Sequence, residues 1–570
     1  MKTAERIGML LVLSGLAVML LMFNIHNYRL TENGVNLTYT DSAQKGALLS
    51  SADKILNVEY NSKFTFSKDL KTLIASANEK LAGNTEAGDS TAMAENADSA
   101  ESKLTAEDTA KNESENKGTV DTTSSPQAAV AADKNGNDAT TEANSINEDS
   151  ITVLMKNSVD GPLKEHNSLF LLLVIGLFAT GSIIFSFARY LSKPAGINND
   201  KVFQRSISAK GIVAVIVGVG LILFYVVLYW YPYLMADLVK LVDPLSYLLN
   251  GGGADEYFLY GIIYSFAILL LGIKMFLKYR HSVYQKIRTL SVTFFQLSFA
   301  FIIPEILKSL NKPSLDLKNI WPLDYSFFWN NNIGELISNG KLGFFMLIWG
   351  LILLIIIVPL FTYFFGKRWY CSWVCGCGGL AETAGDPFRH LSSKKIIVWK
   401  IERILIYSVL VIITLVTAIT LINYFSHEKL LGSATAITQE WYGFLIGSVF
   451  AGVIGTGLYP FMGSRVWCRF GCPLSAIFGI IQRYKSRFRI TTNGGQCISC
   501  GNCSTYCEMG IDVRAYAQKG QNIVRASCVG CGICAEVCPR GVLKLENGNE
   551  TGRINNDPII IGNNRIEVKM

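Results

Sequence analysis

Eight apolar stretches, at about 7–24, 168–189, 211–232, 257–278, 289–308, 343–365, 401–424 and 441–461, constrain this chain more than any other feature. A bilayer core of roughly 30 Å takes about 20 helical residues to cross, and backbone polar groups inside it must be satisfied within the segment. Half of the 570 residues are hydrophobic and 17% are charged, which excludes an ordinary soluble protein. The expected architecture is a polytopic α-helical membrane protein with about eight spans.

Charge sets an expected orientation. Lys and Arg concentrate after the second, fourth, sixth and eighth stretches, over 189–210, 278–288, 367–400 and 483–489. The positive-inside rule makes these loops cytoplasmic, so eight crossings leave both termini on the cytoplasmic side of an inner membrane. Basic loops can also bind nucleic acid, but their placement beside every second span reads as orientation, and no nucleic-acid partner is expected. Residues 1–24 read as an uncleaved signal anchor. Lys2 and Arg6 precede the apolar run, and the bulky "MLLMFNIHNYRL" offers no small-residue cleavage pattern.

Residues 25–167 are then extracytoplasmic, with 23 acidic and 13 basic side chains over 25–165. Apolar spacing over 52–82 allows a small helix and strand, whereas 83–150 is too polar to offset its ordering entropy and is expected to be disordered. The spans within 168–308 carry no cysteine and read as a scaffold. The five histidines, at 26, 166, 281, 390 and 427, all avoid the middle of a span, so no axial pair exists for an intramembrane haem.

All thirteen cysteines lie beyond residue 370. Within 490–548, "CISCGNCSTYC" supplies Cys497, Cys500, Cys503 and Cys507, and "CVGCGICAEVCP" supplies Cys528, Cys531, Cys534 and Cys538. Both follow the C-x₂-C-x₂-C-x₃-C order of bacterial two-cluster ferredoxins, in which the fourth cysteine ligates the other cluster. The order predicts an α+β ferredoxin-like domain holding two [4Fe–4S] clusters. Cys497, Cys500, Cys503 and Cys538 would bind one, and Cys528, Cys531, Cys534 and Cys507 the second. Paired C-x₂-C can also hold zinc, but eight cysteines in duplicated order favour clusters, and a reducing compartment disfavours disulfides. Glu508 follows Cys507 where proline would be expected, which predicts a shifted helix start.

A second pattern lies within 343–480. "GKRWYCSWVCG" and "GSRVWCRFGCP" share glycine, arginine, an aromatic residue and C-x₃-C, 97 residues apart. A parallel repeat of this kind would gather Cys371, Cys375, Cys468 and Cys472 at the cytoplasmic face. Thiols at i and i+4 share one side of a helix, and two such pairs make a four-thiolate site for an iron–sulfur cluster or a soft metal. Redox-active thiols and inert packing are the alternatives. Cys377 has no counterpart, since Leu474 takes its place; it is either a substitute ligand made possible by the flexible glycines around it or a bystander, and bystander is the expectation.

With these motifs in place, residues 340–545 resemble the NapH/NosR/CcoG group of membrane-bound polyferredoxins. The resemblance implies electron transfer between quinol or a cytoplasmic donor, such as a ferredoxin or flavodoxin, and respiratory partner subunits. The alternative it implies is a redox sensor or a maturation factor for a metalloenzyme, not itself catalytic. Gly376 departs from the group's C-x₃-C-P motif. NosR-type members also carry an outer flavin domain, and residues 25–167 look too polar and too poor in core for one, so flavin is not expected. Residues 549–570 form a C-terminal tail, and the basic residues of 462–570 (14, against 7 acidic) suit an acidic donor.

Overall fold

The computed structural model describes residues 2–92, 150–192, 211–426, 432–484 and 487–547 apart from short breaks, with Ile146 and two short strands near residues 561–566. Most of the disorder expected over 83–150, part of the basic loop 189–210 and most of the tail 549–570 lie outside the described residues.

The chain is a helical membrane protein. Among the described residues, seven helices are long and apolar enough to cross a bilayer: Thr3–Met22, Asn167–Tyr190, Ile212–Trp230, Glu256–Lys278, Val283–Ser309, Gly340–Phe365 and Ile396–Phe425. Their outward faces carry exposed Leu10, Ile216, Ile355, Ile404 and Leu415, as a lipid-facing surface requires. The eighth expected span differs. Its segment is helical from Gly432 through Gly457, with a π-helical stretch at Gly443–Ile454, but it is not among the seven apolar helices. Glycines 443, 447, 452, 455 and 457 dilute its apolar content while letting neighbours approach; a Cβ on Gly452 would lie 2.5 Å from Tyr229 Cε2. The helix runs back alongside Ile396–Phe425, from Gln439, bonded to Thr420 at 3.0 Å, to the cysteines beyond Gly457.

Contacts place the N-terminal end and the cysteine-rich C-terminal domain at one end of the bundle. Glu5 pairs with Arg189 at 3.3 Å, Arg280 donates to the Tyr190 carbonyl at 2.8 Å, and Ser282 donates to Glu536 at 2.6 Å. The first span packs on the second through Gly8 and Gly181, where a Cβ on either would come within 3 Å of the other helix's backbone.

At the opposite end of Glu256–Lys278 sits the unit formed by residues 27–92 and 150–160. It is better ordered than its composition predicts. Three short strands, β1 (Asn27–Arg29), β2 (Glu59–Tyr60) and β3 (Val159–Asp160), form an antiparallel sheet in the order β2-β1-β3. Tyr28, Leu30, Val35, Leu48, Phe66, Leu70 and Leu154 build its core, and the helix expected to end near 82 continues as Lys63–Ala92. Few apolar residues suffice because the unit shares its core with the helix Ala236–Asn250. Two buried aspartates of that helix anchor it. Asp237 takes Tyr28, Lys63 and His26 (2.9 Å), while Asp243 takes Lys156 at 3.4 Å and Lys240 at 2.9 Å.

The C-terminal domain is α+β. Strands β4 (Phe488–Thr492) and β5 (Leu543–Asn547) pair antiparallel around two short helices, Asn502–Thr505 and Ile533–Glu536. Cys507 and Cys538 follow these helices in turns instead of lying on them, and the next helix after Cys507 starts at Val513, not beside Glu508.

Candidate iron–sulfur sites

Two small cavities in the C-terminal domain are lined by cysteine. Cys497, Cys500, Cys503 and Cys538 line the outer one with Arg514 and Arg540; Cys507, Cys528, Cys531 and Cys534 line the inner one with Glu508, Met509 and Ile511. Local backbone geometry explains how one loop presents three sulfurs. Gly501 (φ 78°) and Gly532 (φ 73°) occupy matching places in the two loops and adopt the left-handed conformation that favours glycine. Such turns aim successive N–H groups into a concavity that favours anions. Ser499 N–H reaches Cys497 Sγ at 3.4 Å and Ile511 N–H reaches Cys507 Sγ at 3.4 Å.

The two sets differ in exposure and attachment. Cys500 is exposed, and neighbouring Ile498 is 53% exposed. The inner loop is instead bonded to the membrane part. Tyr284 donates to Gly530 O at 2.8 Å, and Gln285 donates to Cys531 O at 2.7 Å.

Beneath the inner set, the structure brings Cys371, Cys375, Cys468 and Cys472 together; all four are buried, and Cys371, Cys375 and Cys472 belong to one core. The C-x₃-C pairs do not share a helix. Helix Trp369–Trp373 ends at Val374 and Cys375 is extended before the helix Gly376–Thr383 starts; Val466–Phe470 and Pro473–Tyr484 repeat the break around Cys472. In each copy the carbonyl of the aromatic residue just before the first cysteine accepts the second cysteine's N–H, Tyr370 at 2.8 Å and Trp467 at 3.0 Å. The shared glycines are also explained. Gly366 (φ 56°, ψ 174°) and Gly463 (φ 96°, ψ 173°) hold a conformation almost confined to glycine.

The repeated arginines hold the two copies together reciprocally. Arg368 donates to Cys468 O at 2.8 Å and Arg465 donates to Cys371 O at 3.0 Å. Both are about 1% exposed, and Arg465 also pairs with Glu382 (2.9 Å) and Glu508 (3.0 Å). Arg288 joins Glu382, and Arg389 joins both Asp386 (3.1 Å) and Glu508 (3.2 Å). Burial opposes the charge on Asp386, yet Lys278, Lys274 and Arg389 hold its carboxyl far below the usual range.

The first copy departs from C-x₃-C-P at a crowded position. A Cβ on Gly376 would lie 2.7 Å from Tyr264 Oη and 2.9 Å from Gln296 Oε1, so a proline there would have to displace the ends of both side chains. A Cβ on Gly378 would lie 1.8 Å from Cys371 O. These glycines permit close packing, not flexibility. Cys377 lies against Cys375 and its thiol donates to that sulfur; mainly for this reason, and against burial, Cys375 is pulled below the ordinary thiol range. Burial and the neighbouring sulfur of Cys468 push Cys472 up to about 12.

Residues present fit an iron–sulfur group in each set. Four thiols in a buried space need a cationic core to be held as thiolates. Around the twin pairs, Arg368 Nε, Arg465 Nε and Trp467 Nε1 are buried donors without hydrogen-bond partners among the described residues, a surplus suited to an anionic thiolate-ligated centre. Beside Cys375 and Cys377 a cavity of ≈ 220 Å³ opens between the spans, lined by Tyr225, Tyr229, Tyr260, Tyr264 and Gln296. Sequence reasoning took these spans as scaffold; the i, i+4 spacing of Tyr225 with Tyr229 and of Tyr260 with Tyr264 was the available signal.

Comparison with known proteins agrees with this chemistry. Residues 496–543 match the model of a 4Fe-4S dicluster domain, and residues 346–396 and 443–491 each match that of a 4Fe-4S binding domain, one match per twin-cysteine copy. The chain is 27% identical over 168 residues to the "Putative electron transport protein YccM" of Escherichia coli, covering 26% of this chain and 43% of that protein. It is also 27% identical over 157 residues to the "Methylamine utilization ferredoxin-type protein MauN" of Methylobacillus flagellatus, covering 27% of this chain and 52% of that protein. The chain thus spans about half the length of the curated relatives it matches, and no solved structure matches it. The chain is an iron–sulfur protein of the membrane, with ferredoxin-type domains similar to those of electron transport proteins.

Proposed function

We propose that this chain carries electrons at the cytoplasmic face of the inner membrane, between a cytoplasmic ferredoxin- or flavodoxin-like donor or quinol and a respiratory partner. The observation that carries the reading is the serial arrangement of three cysteine sets, from the exposed outer set through the inner set to the buried twin pairs. Cys497, Cys500, Cys503 and Cys538 would hold one [4Fe–4S] cluster, and Cys507, Cys528, Cys531 and Cys534 a second. Cys371, Cys375, Cys468 and Cys472 would hold a third. Such clusters supply one-electron exchange with little rearrangement.

The chain's own residues prepare each end. Arg514 and Arg540 beside the exposed outer set would attract an acidic donor. Tyr284 and Gln285 hold the inner loop against the membrane part. At the other end, the tyrosine-lined cavity that reaches Cys375 has the place and the lining for a quinol head group, with Tyr264 and Gln296 as hydrogen-bonding side chains.

Iron and acid-labile sulfide per anaerobically purified chain test this. Three cubanes give about twelve iron atoms, and Cys528→Ala and Cys371→Ala each remove about four. About eight, unchanged by Cys371→Ala, would eliminate the third site, and a chain without iron after reconstitution would end the reading.

A further inference from the structure

Glu508 and Pro539 occupy equivalent places after the fourth cysteine of each group, and their surroundings differ. Pro539 lines the outer cavity beside Arg540, away from the membrane part. Glu508 is 0% exposed and faces a wall of buried arginines. Arg465 meets its Oε1 at 3.0 Å, Arg389 meets Oε2 at 3.2 Å, and Ser392 donates to its carbonyl at 2.7 Å. Arg288, Glu382, Asp386, Arg389 and Arg465 all belong to the membrane part. Among the described residues, Glu508 is the member of this ionic group that the C-terminal domain contributes.

Arg465 gives the contact its direction. The same guanidinium that holds Glu508 donates to Cys371 O at 3.0 Å and lies 3.9 Å from Cys468 Sγ. One side chain therefore touches both the twin-cysteine set and the residue bonded to Cys507. Burying a carboxylate costs far more than burying proline unless it is paired, and buried ion pairs fix arrangement better than they add stability.

We propose that Glu508 is a positioning residue that locks the inner cysteine set onto the twin-cysteine set through Arg465, and that its charge offsets Arg389 and Arg465 beside the inner set. This rests on the reading that the sets hold clusters. Reduction potentials of such clusters depend on nearby charge and hydrogen bonds. Removing the carboxylate leaves Arg389 with Asp386 and Arg465 with Glu382, one negative charge fewer in the group, and makes the inner cluster easier to reduce, while the outer cluster, lined by Pro539, is unaffected.

The test is an EPR-monitored redox titration of the full chain, purified anaerobically, with iron counted in parallel. Glu508→Gln keeps the side-chain volume and is expected to raise the midpoint of the inner cubane, leave that of the outer cubane in place and keep the iron content, with Glu508→Asp restoring the wild-type value. An unchanged inner midpoint, or an outer midpoint displaced together with it, would overturn the proposal. If Glu508→Gln does not hold iron, retention of iron and midpoint by Glu508→Asp supports the need for charge, and loss in both variants overturns it. A wild-type chain without iron would fail the cluster reading instead, which separates the two failures.

Discussion

The ferredoxin domain and the twin-cysteine site gather thiols in opposite ways. In the domain, three sulfurs of each set come from one loop, shaped by left-handed residues such as Gly501 and Gly532, with one sulfur crossing from the other loop. In the twin site no loop suffices. Two copies 97 residues apart are held face to face by Arg368 and Arg465, each bonded to the other copy's cysteine carbonyl. A local site depends on backbone conformation, whereas a non-local one depends on buried charge and close packing, so the two should fail under different substitutions.

The largest effect should come from the buried charge. Arg465→Met removes one of the two buried arginines from each of Glu382 and Glu508, leaving them to Arg288 and Arg389, and is expected to cost about 3–5 kcal/mol, read as a lowered midpoint in thermal unfolding of the detergent-purified chain. Arg368→Met removes a hydrogen bond to one carbonyl and should cost about 1–3 kcal/mol; equal losses would contradict the asymmetry between the copies.

Gly378→Ala comes next in the twin site. Its Cβ would meet Cys371 O at 1.8 Å, so the backbone must shift, at about 1–3 kcal/mol or more, with iron lost from the twin set alone. In the outer loop, Gly501→Ala has space around it and meets only the left-handed penalty of about 1–2 kcal/mol. Iron retained at all sites by Gly378→Ala would show that packing there is not critical. The smallest change is Tyr284→Phe, which removes one bond to Gly530 O. It should loosen the domain by about 1 kcal/mol, seen as faster hydrogen exchange over 528–534 with unchanged iron.

The sequence made the membrane class legible because bilayer thickness fixes the length of an apolar helix, and seven of eight expected spans appear as such. The eighth was blurred because its glycines serve packing against Tyr229 and Tyr325 more than hydrophobicity. The unit at 27–160 was underestimated because part of its core, including Ala236, Val239, Leu241 and Val242, is lent by Ala236–Asn250, a helix distant in sequence. Cys377 illustrates the same limit. Repeat comparison left it without a partner, yet its thiol lies against Cys375.

What the sequence determined by itself is therefore what depends on short-range spacing: the apolar spans, the cysteine order of the ferredoxin domain, and the repeated Gly-Arg-aromatic-C-x₃-C elements. Only the tertiary structure decided which residues surround them. Glu508 looked like a lost proline until the fold set it against Arg389 and Arg465, and Gly376 looked permissive until Tyr264 and Gln296 filled its space. Spacing fixes what a loop can present, because backbone geometry is local. Pairing of buried charge and steric closeness come from residues tens to hundreds of positions apart, and those exist only once the helices have packed.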